Sequence, residues 1–150
     1  MHHETVHVGE VLSAEATRSL LTSLGHGVLS LAQGDRAYGV PVSFGYDDTY
    51  DRCVFELLND ADSRKRRFVE RTAEGTLTAY RYEAPDRWES AIVTGPINPV
   101  DARTLPERSV WAFVDQGNDA AEAVRWKGAA DLQREWYELR PRRIDGRRAE

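Results

Sequence analysis

Residues 27–44 read Gly27-Val28-Leu29-Ser30-Leu31-Ala32-Gln33-Gly34-Asp35-Arg36-Ala37-Tyr38-Gly39-Val40-Pro41-Val42-Ser43-Phe44. Apolar residues alternate on both sides of Gly34-Asp35, a dipeptide suited to a tight hairpin turn. The stretch therefore predicts two antiparallel strands, 27–33 and about 36–44. In the second strand Tyr38, Val40, Val42 and Phe44 point one way, and Ala37, Gly39, Pro41 and Ser43 point the other. Pro41 cannot donate to a ladder, so its strand belongs at an edge or a bulge. Gly39 removes a side chain from the same face. Together they let a flat ligand approach the backbone, although an ordinary edge strand guarded against aggregation has the same pattern.

Working outward, Ser13 is a suitable N-cap, Glu15 suits the positive helix end and Gly25 suits the C′ position. Ala16, Leu20 and Leu24, with Leu21 beside them, form one apolar face. Downstream, Asp47 to Asp51 predict a polar turn and Cys53 to Leu57 a third strand. Asp62 to Arg71 predict a short basic helix. Strands are expected at Gly75 to Tyr82 and Arg87 to Ile97, separated by the turn signal Ala84-Pro85-Asp86. Thr104 with Glu107, and Asp119 with Glu122, form capping boxes that predict two further helices. Trp136 to Leu139 predict a last strand, stopped by Pro141. The expectation is an α+β chain: an antiparallel barrel or sheet of five short strands with flanking helices. One domain is expected over residues 1–150, with 1–12 and 142–150 peripheral.

Bulk properties exclude several classes. The net charge of −5 argues against sequence-independent nucleic-acid binding. The single cysteine, Cys53, rules out an internal disulfide and any zinc site built on a cysteine pair, and reads as a buried core thiol. No apolar run approaches the roughly 20 residues of a membrane helix, and the start Met1-His2-His3-Glu4 has no signal-peptide pattern, so a cytoplasmic protein is expected. Gly-x-Ser-x-Gly, P-loop and dinucleotide fingerprints are absent. No metal site is expected. His2, His3 and His7 read as a tail, His26 as a turn histidine, and Asp47, Asp48 and Asp51 as a hairpin turn rather than a calcium loop.

Ser63-Arg64-Lys65 opens the basic helix. A helix N-terminus offers unpaired N–H groups and partial positive charge. A hydroxyl, a guanidinium and an ammonium there make a phosphate site. Lys65 is one of two lysines in a chain with 18 arginines. Arg66, Arg67 and Arg71 follow, so a solvated basic face is the alternative.

Taken in order, Tyr38-Gly39-Val40-Pro41-Val42-Ser43-Phe44, Ser63-Arg64-Lys65 and Trp88-Glu89-Ser90-Ala91-Ile92-Val93-Thr94-Gly95 resemble the FMN-binding split β-barrel of pyridoxamine 5′-phosphate oxidase-like proteins. The ending Trp136-Tyr137-Glu138-Leu139-Arg140-Pro141, then Ile144-Asp145-Gly146-Arg147, is similar to the closing strand and tail of members. The resemblance spans about residues 13–148. It implies an α+β antiparallel split β-barrel with flanking helices and FMN as cofactor, with a deazaflavin or haem as alternatives. It assigns Ser63, Arg64 and Lys65 to the phosphate, Val40, Pro41, Val42 and Ser43 to the ring, and Ser90 to the ring's far side. It also implies a homodimer that holds flavin between its chains, and C-terminal residues that can reach the partner's flavin. Oxidases proper carry an arginine and a lysine on the ring strand where this chain holds Gly39 and Phe44. The histidine of nitroimidazole-reductase relatives is replaced by the Glu56-Leu57-Leu58 stretch. No catalytic side chain stands out. The functional expectation is an FMN-dependent oxidoreductase acting on a small molecule of unidentified structure. The alternatives are a non-catalytic flavin, deazaflavin or haem carrier or redox sensor, and a structural domain without cofactor.

Overall fold

The 12-residue strand β3 (Arg36–Asp47) organises the architecture, because its two halves pair with different neighbours. The computed structural model describes residues 9–59, 64–101, 105 and 133–150. The other elements are β1 (Glu10–Leu12), α1 (Ala14–Leu21), β2 (His26–Gln33), β4 (Arg52–Asn59), α2 (Arg64–Arg71), β5 (Gly75–Ala84), β6 (Arg87–Gly95), β7 (Ile97–Val100), β8 (Gln133–Leu139) and β9 (Arg143–Arg148). Among the described residues the strand order is β1-β9-β6-β5-β2-β3-β4-β8-β7, with every pairing antiparallel. The sheet curls into the expected antiparallel split barrel. The split lies at β3, which pairs with β2 from Arg36 to Ser43 and with β4 from Phe44 to Asp47.

Alternation decides which face is inside. Val40, Val42 and Phe44 of β3 are buried, as are Leu29 and Leu31 of β2 and Leu77 and Ala79 of β5. Ala37, Gly39 and Pro41 are exposed. The core is closed by Leu20 and Leu21 of α1 and by Phe68 and Val69 of α2. α1 begins as expected, with the Ser13 hydroxyl accepting from the Ala16 N–H at 3.0 Å. It lies against β9 at Gly146, where a Cβ would come within 2.1 Å of Thr17 Oγ1.

Four expectations need correction. α1 ends at a right-handed Thr22 cap rather than near Gly25, because the Gly25 carbonyl accepts from the Phe44 N–H at 2.9 Å and so already belongs to the ladder between β2 and β3. The strand expected over Arg87 to Ile97 is two strands: β6 ends at Gly95, and β7 pairs with β8 at the far edge. Pro96 falls where the chain from β8 to β9 crosses, with Arg140 N donating to Pro96 O and Arg142 N to Thr94 O. Residues 142–150 are not peripheral, since β9 pairs with β6 from Glu89 to Thr94 and with β1 from Glu10 to Leu12. A polar strand can sit there because only one face of it is covered. Among the described residues nine strands thus stand where five, with a last one at Trp136 to Leu139, were expected. The two helices expected from the capping boxes at Thr104 and Asp119 lie outside the described residues.

The turn after β3 is tied to α1. Arg18 donates from Nε and Nη2 to the two Asp51 oxygens at 2.9 and 3.1 Å, and Tyr46 Oη donates to Asp51 Oδ1 at 2.5 Å. The Arg18 bond holds the Asp51 carboxyl below its usual value. A depressed folded value means the carboxylate stabilises the fold above its unfolded pKa of about 4 and loses that contribution as pH falls through the folded value. Asp51→Asn keeps a side chain tolerant of the left-handed backbone at φ 51°. This variant is expected to be less stable than the wild type at pH 7 and to lose less stability between pH 7 and pH 3. Urea midpoints at the two pH values check this, and parallel losses in both proteins would refute it.

Candidate functional site

Antiparallel pairing fixes where each backbone group of β3 points. The Phe44 N–H to Gly25 bond sets the phase, so the pairs 27/42, 29/40 and 31/38 exchange hydrogen bonds and 26/43, 28/41 and 30/39 do not. Ala32 agrees with this phase: opposite Ala37, it turns its N–H and C=O away from β3 to the Thr72 hydroxyl, each at 3.2 Å. The N–H groups of Ala37, Gly39 and Ser43, and the carbonyls of those residues and Pro41, therefore point away from β2. Apart from the Ser43 carbonyl, which meets β4 where the Phe44–Phe55 register begins, no described strand pairs with them there. Pro41 is where its missing N–H costs no ladder bond, which explains a proline inside a clean strand.

The start of α2 meets β3 at the Tyr38 side chain, on the strand's inward face. The Arg64 guanidinium carbon lies 5.3 Å from the Tyr38 ring centroid and 5.5 Å from that of Phe68, and the two rings stack at 5.2 Å. Lys65 is the next residue and is half-buried. The basic run then divides by role. Arg66 is engaged by carboxylates, with Nε 3.1 Å from Glu70 and Nη2 3.3 Å from Glu135. Arg64 is left on the aromatic pair, directed by it rather than by an acid. Ser63 lies outside the described residues.

Of the expected site residues, Val40, Pro41, Val42, Ser43, Arg64 and Lys65 come to one region. The side chains of Val40 and Val42 are buried inward, and their backbone N–H and C=O groups are paired with Leu29 and Gly27, so neither residue offers a ligand a polar group. Ser90 stands apart. It lies on β6, with β5 and β2 between it and β3, roughly 14 Å away at the usual strand spacing. It shares the outer face with Pro41 but cannot meet a ligand at the open side of β3 within one chain. Phe44, in the place of a basic ring-strand residue, is fully buried in the core and offers nothing to a ligand.

One residue set aside in the sequence belongs to the region. His26 is the first residue of β2, not a turn residue, and its Nδ1 is 3.1 Å from Ser43 Oγ. Two acidic candidates are otherwise engaged. Asp51 is bound as above, and the buried Asp47 lies 3.4 Å from Arg52, which also pairs with buried Glu138 at 3.0 Å. Cys53 is fully buried, and burial, with a smaller contribution from Asp51, pushes its thiol up to about 12, so it is no nucleophile near neutrality. Concavities among the described residues lie elsewhere: about 880 Å³ between α2 and the β7–β8 pair, about 380 Å³ at the β5–β6 hairpin beside Trp88, and about 180 Å³ between that hairpin, Gly9 and the C-terminal residues. Among the described residues the β3 region is an open strand edge.

Comparison with known proteins agrees with this architecture. The family model described as pyridoxamine 5′-phosphate oxidase matches residues 13–148. A FAD-binding protein from Mesorhizobium loti has 16% identity and a TM-score of 0.71, with 95% of this chain and 98% of that chain covered. The FAD binding protein from Mycobacterium smegmatis has 19% identity and a TM-score of 0.59, with 93% and 97% covered. A FAD and heme binding protein from the same organism has 16% identity and a TM-score of 0.64, with 92% and 72% covered. At such identities the likeness is one of fold. No curated protein sequence matches the chain.

Neither the backbone nor the neighbours of Gly39 require a glycine. Its φ is not in the left-handed region, and an added Cβ would meet only Val28 Cγ1, at 3.6 Å. Gly39→Ala is therefore expected to raise stability by roughly 0.5–1 kcal/mol, the usual penalty of glycine within a strand. Denaturant unfolding measures this, and a clear loss would mean that the site is more crowded than the structure shows.

Proposed function

The chain belongs to the pyridoxamine 5′-phosphate oxidase family, and from that premise we propose that it binds a flavin, FMN, and serves as an oxidoreductase on a small organic molecule. The observation that carries the proposal is the open side of β3. Outward backbone groups of Gly39, Pro41 and Ser43 follow Tyr38, over whose ring lies the Arg64 guanidinium, with Lys65 the next residue of α2. An elongated ligand with an anionic end and a flat heterocyclic end fits that order of groups. Gly39 keeps the strand surface low, although the fold does not require it. Arg64 and Lys65, with Ser63, would hold the phosphate. Of the strand residues, Pro41 and Ser43 would meet the ring through their outward backbone groups, while Val40 and Val42 would only shape the strand between them. When bound, the flavin supplies two-electron redox chemistry; the chain binds it, orients it and limits access of water.

The outer face supports a homodimer. Val28 (40% exposed), Ile92 (38%) and Tyr80 (68%) lie on it with Pro41, across β2, β5, β6 and β3. A second copy on this face would bury them and would bring its own Ser90 towards the open side of β3, which Ser90 of the same chain does not reach. The cytoplasm is the proposed compartment, since the lone buried cysteine needs no oxidising surroundings.

The test of the cofactor is the visible spectrum of protein purified from a flavin-producing host, followed by release and identification of the chromophore. Bound FMN in near-equal ratio to chains is the expected result. A colourless protein that takes up no added FMN would overturn the reading, and deazaflavin and haem titrations would follow. Lys65→Ala is expected to weaken FMN binding by about tenfold to a hundredfold, the size of a lost charge-assisted hydrogen bond. Equal affinity in the variant would remove Lys65 from the site. Ile92→Glu is expected to convert a two-chain mass in solution into a one-chain mass and to lower FMN retention with it. A one-chain mass for the unaltered protein would refute the dimer.

A further inference from the structure

We propose that Tyr38 is the positioning residue at the phosphate end of this site: with Phe68 it forms an aromatic platform that holds the Arg64 guanidinium in place and leaves its N–H groups and its charge to a phosphate monoester. The inference rests on the flavin reading above and adds a residue to it.

The ring contacts carry it. Arg64 opens α2, and Phe68 stands about one helical turn further along the same face. The Phe68 ring, buried in the core, stacks on the Tyr38 ring at 5.2 Å with 21° between their planes. The Arg64 guanidinium carbon lies 5.3 Å from the Tyr38 centroid and 5.5 Å from that of Phe68, both within the reach of a cation–π contact. The base of the Tyr38 ring is fixed, because the backbone of Tyr38 is paired with Leu31 in the β2–β3 ladder. The cation is thus tied to the sheet through two rings.

What holds a guanidinium decides what it can still bind. A carboxylate partner cancels its charge and occupies its N–H groups, whereas a ring face attracts the cation and brings no opposing charge. Arg18, Arg52, Arg66 and Arg81 are held in the first way, each within 2.9–3.1 Å of a carboxylate. Arg64 is held in the second. The first turn of α2 contains no acid, and among the described residues no carboxylate pairs with Arg64. Its planar fork of N–H donors stays available to phosphate oxygens.

Placement in advance has a consequence for binding. An unheld arginine loses rotamer freedom when a ligand arrives. The platform takes that loss during folding, so the phosphate meets a cation already in position. Tyr38 also packs against the core. A role confined to packing predicts a different result, in which replacing Tyr38 weakens folding and every flavin ligand alike.

The test measures FMN and riboflavin affinities side by side, since these ligands differ only in the phosphate. Tyr38→Leu is expected to weaken FMN binding about fivefold, the size of an exposed cation–π contact, and to leave riboflavin binding unchanged. Tyr38→Phe keeps the ring and is expected to bind FMN as the unaltered protein does. Ring-fluorinated phenylalanines at this position keep the shape but drain the negative face of the ring. They are expected to weaken FMN binding stepwise, and they decide the matter if Tyr38→Leu does not fold. In an Arg64→Ala background, itself about tenfold weaker for FMN, Tyr38→Leu is expected to cost nothing further. Equal losses for FMN and riboflavin, the same loss with Arg64 absent, or FMN affinity indifferent to the ring would each overturn the role of Tyr38. If FMN binding still depends on Lys65 when one of these occurs, the flavin reading stands and this inference alone fails. Failure of the unaltered protein to take up FMN overturns both.

Discussion

A β-strand has two edges, and β3 cannot offer both of them to neighbours along its whole length. Its first eight residues give one edge to β2, and its last four give the opposite edge to β4. Each half therefore keeps one unpaired side, and the sheet opens where the partner changes. An unpaired strand edge invites unwanted pairing unless something blunts or occupies it. Here Pro41 removes one donor and α2 approaches with its cations. The candidate site is what becomes of an edge that this topology cannot close. A fully closed barrel of these strands would bury those backbone groups against another strand and leave no place for a ligand.

The charged residues divide between holding this arrangement and serving the site. Arg52, Asp47 and Glu138 form a buried cluster that ties the β3–β4 hairpin to β8. Such a cluster is costly to assemble, and losing any one partner strands a buried charge. Arg18 and Asp51 tie α1 to the same hairpin at the surface. On α2, Arg66 is paired with Glu70 of the same helix and with Glu135 of β8. Arg64 and Lys65 remain at the helix start. A run of basic residues that looks uniform in sequence is thus divided by its contacts, Arg66 bracing β8 and Arg64 lying over the Tyr38 and Phe68 rings.

Much of the region was legible because it is local. The hairpin, the turn at Gly34, the alternation in β3 and the Ser13 cap all depend on residues a few positions apart, where pleat and helix periodicities act directly. The place of His26 opposite Ser43 was also within reach. A two-residue turn after Gln33 fixes the pairing of 33 with 36, and counting back places 26 opposite 43. It was missed because the flanking glycines Gly25 and Gly27 suggested a turn. The tail from 143 to 148 was missed for a different reason. β9 is largely polar and alternates weakly, and it becomes a strand only because β6 and β1 supply partners on both sides.

The sequence by itself determined the antiparallel hairpin plan, the inward stripe of β3, the cationic start of α2 and, through the order of its motifs, the family. These follow from local periodicity and short spacings, which any single chain displays. Tertiary structure alone decided that β3 changes partners at Phe44, that β6 and β7 go to opposite parts of the sheet, and that β9 completes it. It also set Ser90 roughly three strand spacings from the open edge. The reason is that strand partnership depends on hydrogen bonds between segments far apart in the chain. Local periodicity says which face of a strand is apolar, but it carries no information about which strand lies along its edge.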